Sequence, residues 1–557
     1  MKLKTLTVAL CFVAGLSLPV CAQSGDPSEI EKLKAKLAEQ QKQLETLKQS
    51  IADQQKAIDS LSKTSTQTAA ASAAPQPSSA PAPASAAPGF PRIGGNVASS
   101  TPMLVPDTPP LPRYAPPQPQ NPPESPLQLK IGDVSIIPIG FLDATAVWRD
   151  KNAASGIGTN FASVPYANTA AGHLTEFRFS PQNSRIGWRM DVNVHGAHVI
   201  AYNENDFLGT SGANNIGVTN GAFVPRIRLF WVDVRKGSWE VLGGQSWSMM
   251  TPNRKAISPL PGDIFYSQVF DVNYLIGLTW TRQPGFRVLY HGAGDKFTAG
   301  LSVEQPNQYI GGSSGAPTVT LPALDVGFGG SEFDNASNVL NTPNVSPDII
   351  AKLAFDPSSK LHFEVAGIQR TFRDYVLAAN QHHTAIGGGG MANINFELAK
   401  GIRVISNNYF SDGGGRYLFG TVPDVVIRAD GSISPIHAHS TTDGLEMTFG
   451  KTLVYTYFGG VWTGRDAALD ANGTTPIGYG YIGSPNNHNR VIDEVTFGFN
   501  QTVWKDAKWG AINYMMQYEW ANRYPWYVAV NQPSSAHDNA IYFDLRYTLP
   551  GSAPPAK

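Results

Sequence analysis

The sequence predicts an all-β fold, a transmembrane antiparallel barrel of about sixteen strands, preceded by an N-terminal α-helical coiled coil. Three observations predict the barrel. Between Ser184 and Asp206, Ile186, Trp188, Met190, Val192 and Val194 alternate with Arg185, Gly187, Arg189, Asp191 and Asn193. A strand sends successive side chains to opposite faces, so one face is apolar and the other charged, which suits a wall between lipid and water. Secondly, the chain opens like an exported protein, yet no later run approaches the ~20 apolar residues of a membrane helix. Thirdly, short turns and long polar loops alternate along the rest of the chain, as an even-stranded antiparallel barrel requires.

Residues 1–22 read as a secretory signal peptide. Lys2 and Lys4 are basic, Leu6 to Leu18 is apolar, and Val20-Cys21-Ala22 precedes a cleavage site at Gln23. A lipid-bearing Cys21 is the rival reading, and Val20 is a poor residue just before such a cysteine. Both cysteines, Cys11 and Cys21, lie in this segment, so the mature chain is expected to have no disulfide, metal thiolate or cysteine nucleophile.

Residues 28–62 carry a heptad repeat. Ile30, Leu37, Leu44, Ile51 and Ile58 fall at a, and Leu33, Gln40, Leu47, Gln54 and Leu61 at d. So polar a helix needs partner helices to bury its seam. A trimer is compatible with this pattern, but the pattern does not fix the number of helices; docking on another periplasmic protein is the alternative. Residues 63–127, rich in Ala, Pro, Ser and Gln, bury no core and read as an extended linker, long enough to reach towards the cell wall.

From residue 128 to 557 the pattern is β. The spanning candidates are Ile137–Trp148, the two arms of the Ser184 hairpin, Arg226–Val234, Trp239–Ser248, Gly277–His291, Phe297–Gln305, Asp348–Phe355 and Leu361–Phe372. They continue with Ala392–Leu398, Ile402–Phe410, Leu445–Phe449, Leu453–Trp462, Val491–Val503, Ala511–Trp520 and Asp538–Leu549. His195-Gly196 marks a tight turn between the hairpin arms.

Inward parity places Arg185, Arg189, Arg226, Arg228 and Arg287 in the lumen, with Asp143, Asp191, Glu204 and Asp206 as counter-charges. Arginine keeps its charge and its fork matches carboxylates, so such a ladder favours anions. The plainer reading is that these pairs brace the wall. Arg282 falls on outward parity, which implies either the membrane edge or a bulge at Pro284-Gly285. The loop from Met249 to Ile276, with Arg254 and Lys255, either enters the lumen or stays outside. With 15% charged residues and a net charge of −1, no basic excess points to nucleic acid. No G-x-S-x-G, H-E-x-x-H or phosphate-loop pattern appears. His382, His383, His437, His439 and His488 are expected on solvent-exposed loops. Neither a cofactor nor a metal is expected.

At Arg226-Ile-Arg-Leu-Phe-Trp-Val-Asp-Val and Leu242-Gly-Gly-Gln-Ser-Trp-Ser248 the chain resembles the DcaP-like trimeric porins. Ser184-Arg-Ile-Gly187 and Glu204-x-Asp206-Phe207 resemble Gram-negative porin hairpins, and the order of segments is also similar. The resemblance implies a homotrimer of sixteen-stranded barrels in the outer membrane, a periplasmic N-terminal segment, and passive uptake of small organic anions such as dicarboxylates. The family's basic pore residues match Arg185, Arg226 and Arg228, then Arg189 and Arg287. One departure is the end of the chain: Tyr547-Thr-Leu549 is followed by PGSAPPAK, where porins usually close on an aromatic residue. An anion-preferring diffusion channel is the leading expectation. A barrel-anchored tether or adhesin is the alternative from another class, and a barrel enzyme the third.

Overall fold

The computed structural model describes residues 125–153, 155–209, 223–265, 267–311, 317–323 and 345–551. The expected signal segment, the coiled coil and nearly all of the linker lie outside these residues. The described chain forms a closed antiparallel barrel of sixteen strands, each paired with the next and the last with the first. The strands are β1 Val134–Arg149, β2 in two pieces (Glu176–Ser180 and Arg185–Val194), β3 Ala197–Gly209 and β4 Val224–Lys236. Next come β5 Trp239–Trp247, β6 Arg282–His291, β7 Phe297–Glu304, β8 Asp348–Ser358, β9 Leu361–Val376 and β10 Gln381–Ala399. The wall is completed by β11 Ile402–Asp412, β12 His437–Phe449, β13 Thr452–Thr463, β14 Asn489–Asp506, β15 Gly510–Pro525 and β16 Ala536–Thr548. Every spanning candidate read from the sequence overlaps one of these.

Local chemistry explains the joints. His195 and Gly196 have φ of 49° and 76°, the two left-handed residues that a tight hairpin turn between right-twisted strands demands. β2 breaks at Pro181, which has no N–H for the ladder. The Ser184 hydroxyl fills the gap by accepting the Asp143 N–H at 2.9 Å. Closure pairs Phe141 with Thr548 through to Arg149 with Ala540. Where β16 stops, the short strand Leu129–Ile131 folds back onto Val134–Ile136. The Ser125 hydroxyl donates to the Pro550 carbonyl, so both ends of the described chain meet at the rim that carries the short turns.

The pleat sorts the side chains. Phe286 is 68% exposed beside Arg287 at 4%, and Leu301 is 55% exposed beside Ser302 at 3%. An apolar outer face over a polar inner face fits lipid outside. In β4 a bulge adjusts this order. The register jumps from Glu204↔Leu229 to Asn205↔Ile227, so Arg228 is the extra residue and both Arg228 and Leu229 turn inward.

Several strands run further than their apolar alternation predicts. β9 reaches Val376, β10 begins at Gln381 and β12 begins at His437. Their outer halves carry Gly, Ser, Thr, Asp and His at outward positions, which hides the period, yet the ladder continues through Arg373↔Thr384 and Asp412↔His437. His382, His383, His437 and His439 therefore lie on strands rather than loops. His488 does lie on a loop but is fully buried. Its ring stacks on Tyr479 and its Nδ1 accepts the Gly480 N–H, and burial holds its pKa down to about 4.

Replacing Phe286 by Arg puts a charge on the outer face at mid-strand. The substitution should lower folding stability in lipid vesicles by about 2–4 kcal/mol, read from urea unfolding, whereas Ser302→Arg on the inner face should cost less. Equal losses would contradict the assigned faces.

Candidate functional site

The interior is built from two parts, a cluster of arginines on β2–β6 and a loop folded into the barrel.

The cluster begins at the first hairpin. Pairing of β2, β3 and β4 sets Arg185 opposite Asp206, and Asp206 opposite Arg226. Arg185 Nη1 lies 3.3 Å from Glu204 Oε1. Arg228 bridges both acids, with Nε at 2.8 Å from Glu204 and Nη1 at 2.9 Å from Asp206. Arg226 grips Asp206 bidentately at 3.0 and 2.7 Å. Arg189 and Asp191, two residues apart on the same face, form their own pair at 2.6 and 2.7 Å, joined by His198. Asp143 points inward as expected, but its partner is Arg546 of β16, held by two bonds of 2.6 Å. Only barrel closure brings Asp143 opposite Arg546, so strand-by-strand reading of the sequence missed that arginine.

Arg282 joins the cluster. The ladder through Gln283–Arg287 is unbroken, so there is no bulge at Pro284-Gly285; Arg282 is the first residue of β6. Its guanidinium lies 5.4 Å over the Trp247 ring, against which Arg228 also packs at 5.7 Å. Among the described residues Arg282 has no acidic partner within ion-pair distance. Arg287 does not reach the cluster. It is 4% exposed, it faces the charges of Glu240, Asp233 and Glu304, and its Nε and Nη2 make no hydrogen bond among the described residues.

Burial separates the arginines into two groups. The side chains of Arg185, Arg189 and Arg228 are 7%, 7% and 0% exposed, against 21% for Arg226. The buried pairs match the plainer expectation, a braced wall. Arg226 and Arg282 are the half-buried members, less enclosed than the rest.

The Met249–Ile276 loop enters the lumen. Nearly all of it is buried, and wall side chains from β7 round to β16 receive its polar groups. The N–H groups of Met249, Asn253 and Ala256 donate to Glu304, Glu364 and Asp356 at 2.9, 2.7 and 2.9 Å. Those of Gln268, Phe270 and Ile276 donate to Tyr457, Gln517 and Glu494 at 2.8, 3.0 and 2.8 Å. The buried Lys352 ammonium donates to the Thr251 carbonyl at 2.9 Å and pairs with Glu364 at 3.0 Å. Asp271 takes the Thr159 N–H and the Tyr542 hydroxyl at 2.8 and 2.6 Å. Arg254 is bound to Glu446 by two bonds and stacked over Phe265. Lys255 is half-buried and has no ion pair among the described residues. Trp247, Tyr274, Trp280 and Phe419 join the loop to the arginine cluster through ring contacts of 4.9–6.1 Å. No His/Cys/Asp/Glu group suited to a metal occurs among the described residues.

No family model matches the sequence, and none of the curated proteins does. Solved structures do match. The outer membrane channel DcaP of Acinetobacter baumannii is similar at a TM-score of 0.52 and 16% identity, over 75% of this chain and 98% of that one. The chain has a porin fold. Further matches to the porin barrel are OmpF of Salmonella typhi in complex with daunomycin (TM-score 0.41, 8% identity, 76% and 99% covered) and OmpT of Vibrio cholerae (0.39, 9%, 76% and 99%).

Glu494→Leu removes the acceptor of the Ile276 N–H inside the porin barrel, a loss of about 1–3 kcal/mol for a buried donor left unpaired. Hydrogen–deuterium exchange should then quicken in residues 267–280 while the β6 and β14 amides stay protected. Unchanged exchange in that segment would mean that Glu494 does not anchor the loop.

Proposed function

We propose that the protein is an outer-membrane porin that lets small hydrophilic solutes diffuse passively, with a preference for organic anions such as dicarboxylates. One observation carries the preference. Among the described residues Arg185, Arg226, Arg228 and Arg282 surround Glu204 and Asp206, four positive charges against two, and Arg226 and Arg282 are only half-buried. An anion at this point meets fixed positive charge and loses less on leaving bulk water than a cation does. Elsewhere on the wall Glu304, Glu364, Asp356 and Glu494 accept loop N–H groups, which ties their charge to the loop rather than to a solute. Diffusion needs no covalent step, cofactor or metal. In this reading the protein is a homotrimer, its N-terminal coiled coil and linker lie in the periplasm, and Arg185, Arg189, Arg226, Arg228, Arg287, Arg254 and Lys255, with Asp143, Glu204 and Asp206, set the charge of the lumen.

Planar-bilayer recording in a salt gradient tests it. The wild type should insert in triple steps and give an anion-directed reversal potential, and the pair Arg226→Ala/Arg282→Ala should move that potential towards cations. An unmoved potential would remove these arginines from the filter. No conductance over many insertions would leave the barrel as an anchor for a tether.

Arg228→Ala should behave differently. It strips a buried partner from Glu204 and Asp206 at once and should cost about 3–5 kcal/mol of stability, read from the unfolding midpoint. A stable Arg228→Ala barrel with altered selectivity would reverse the roles assigned to Arg228 and Arg226.

A further inference from the structure

The outer wall of β10–β13 departs from the rest of the barrel. Register sets Ala392, Asn408, Thr441 and Gly460 in one row, with Ser406 and Asp443 paired beside it. Their orientation is settled by their neighbours. The hydroxyls of Ser440 and Thr442 bond the Gly277 and Ile276 carbonyls of the loop inside, so Thr441 and Asp443 point outward. The row also lies within the apolar band and not beyond it: Phe410, 63% exposed, stands on its long-loop side, and Phe458, 44% exposed, on the other.

Asp443 is held in place on this face. Its Oδ1 accepts the Ser406 hydroxyl at 2.6 Å and its Oδ2 the Thr441 hydroxyl at 2.9 Å, while Asn408 Nδ2 donates to Ser406 at 3.0 Å. A carboxylate has about four acceptor positions, so roughly half of its capacity is filled. Lipid tails offer no donor for the remainder and make a charge costly. In the adjacent row Ala392, Thr441 and Gly460 are small and let another wall approach; a Cβ on Gly460 would meet nothing nearer than Phe458 Cζ at 3.6 Å.

We propose that this face binds a second copy of the same chain through a two-fold contact. The inference rests on the membrane reading above and adds to the trimer a contact of another kind. A three-fold ring joins two different faces of each subunit, whereas a two-fold contact joins one patch to itself and requires that the patch be self-complementary. This patch is. The second N–H of Asn408 is available to the Asp443 carboxylate of the mate, and Asp443 to the Asn408 of the mate. The copies pair side by side in the membrane, linking one trimer to the next.

Both cysteines, Cys11 and Cys21, lie in the expected signal segment, so cysteines placed in the barrel report cleanly once that segment is removed. Full-length Gly460→Cys, Ala392→Cys and, as an outer-wall control on β7, Leu301→Cys are reconstituted in liposomes and treated with a short bis-maleimide. Gly460→Cys mixed with Ala392→Cys should give a covalent pair of chains on a denaturing gel, because a two-fold between β11 and β12 sets each of these positions opposite the other. Leu301→Cys should not, and adding Asp443→Leu should reduce the pair by about fivefold or more. Absence of crosslinking in that mixture overturns the proposal, as does a pair that survives Asp443→Leu undiminished. Labelling of Gly460→Cys by a membrane-soluble maleimide as fast as Leu301→Cys would show a face bare to lipid and would also overturn it. A chain extracted from the liposomes by carbonate fails the membrane reading instead, which separates the two failures.

Discussion

The constraint on which the rest of the structure depends is the backbone of the loop inside the barrel. A chain segment taken out of bulk water must still satisfy its N–H and C=O groups, and an orphan costs as much as a lost hydrogen bond. Strands meet the demand by pairing with each other. The Met249–Ile276 loop has no such partner, so wall side chains meet it instead: Glu304, Glu364, Asp356 and Glu494 for N–H groups, Lys352 for a carbonyl. Acidic residues on these strands therefore need no cation ligand to explain them. Their presence is set by the loop, and the loop's position is set by them.

Division of labour among the charges follows. Arg185 and Arg228 neutralise Glu204 and Asp206 in a region where an unpaired charge is costly, and Trp247 fixes the height of Arg228 and Arg282 by contact with their guanidinium groups. Such a buried network is rigid, and rigidity is what it supplies to the residues at its edge. Arg226 shares Asp206 with Arg228 while reaching towards solvent. An arginine whose carboxylate partner is already held by a second arginine retains more of its field than one in an isolated pair. In the proposed reading bracing and selection are thus not rival accounts of the same residues, since they fall to members of one cluster that differ in burial.

How far this was legible in the sequence depends on the range of the interaction. The period of two and the turn residues are local, and they located all sixteen strands and the His195-Gly196 turn. Inward parity of Arg185, Arg226 and Arg228 was equally local, because each sits within a run of alternating residues. Arg546 escaped because its link to Asp143 exists only once the first and last strands meet. Arg282 escaped because its position comes from Trp247 of the neighbouring strand rather than from parity. Entry of the loop into the lumen was not legible either. Its apolar residues favour burial, but the acceptors of its N–H groups are spread over β7, β8, β9, β13, β14 and β15.

Failures of the alternation rule carry their own information. The first half of β12 reads as a loop in the sequence because Thr441, Asp443 and His439 occupy positions where a lipid-facing strand would place large apolar groups. The ladder runs through them without a shift, from Asp412↔His437 to Ile402↔Met447. Backbone pairing and side-chain pattern are set by different demands, the first by the barrel and the second by what touches its outer wall. Where the pairing continues and the pattern stops, the change lies in the neighbour rather than in the strand. A carboxylate oriented by Ser406 and Thr441 beside a row of small residues has the features of an interface between proteins, in which specificity comes from a fixed polar group and closeness from small ones.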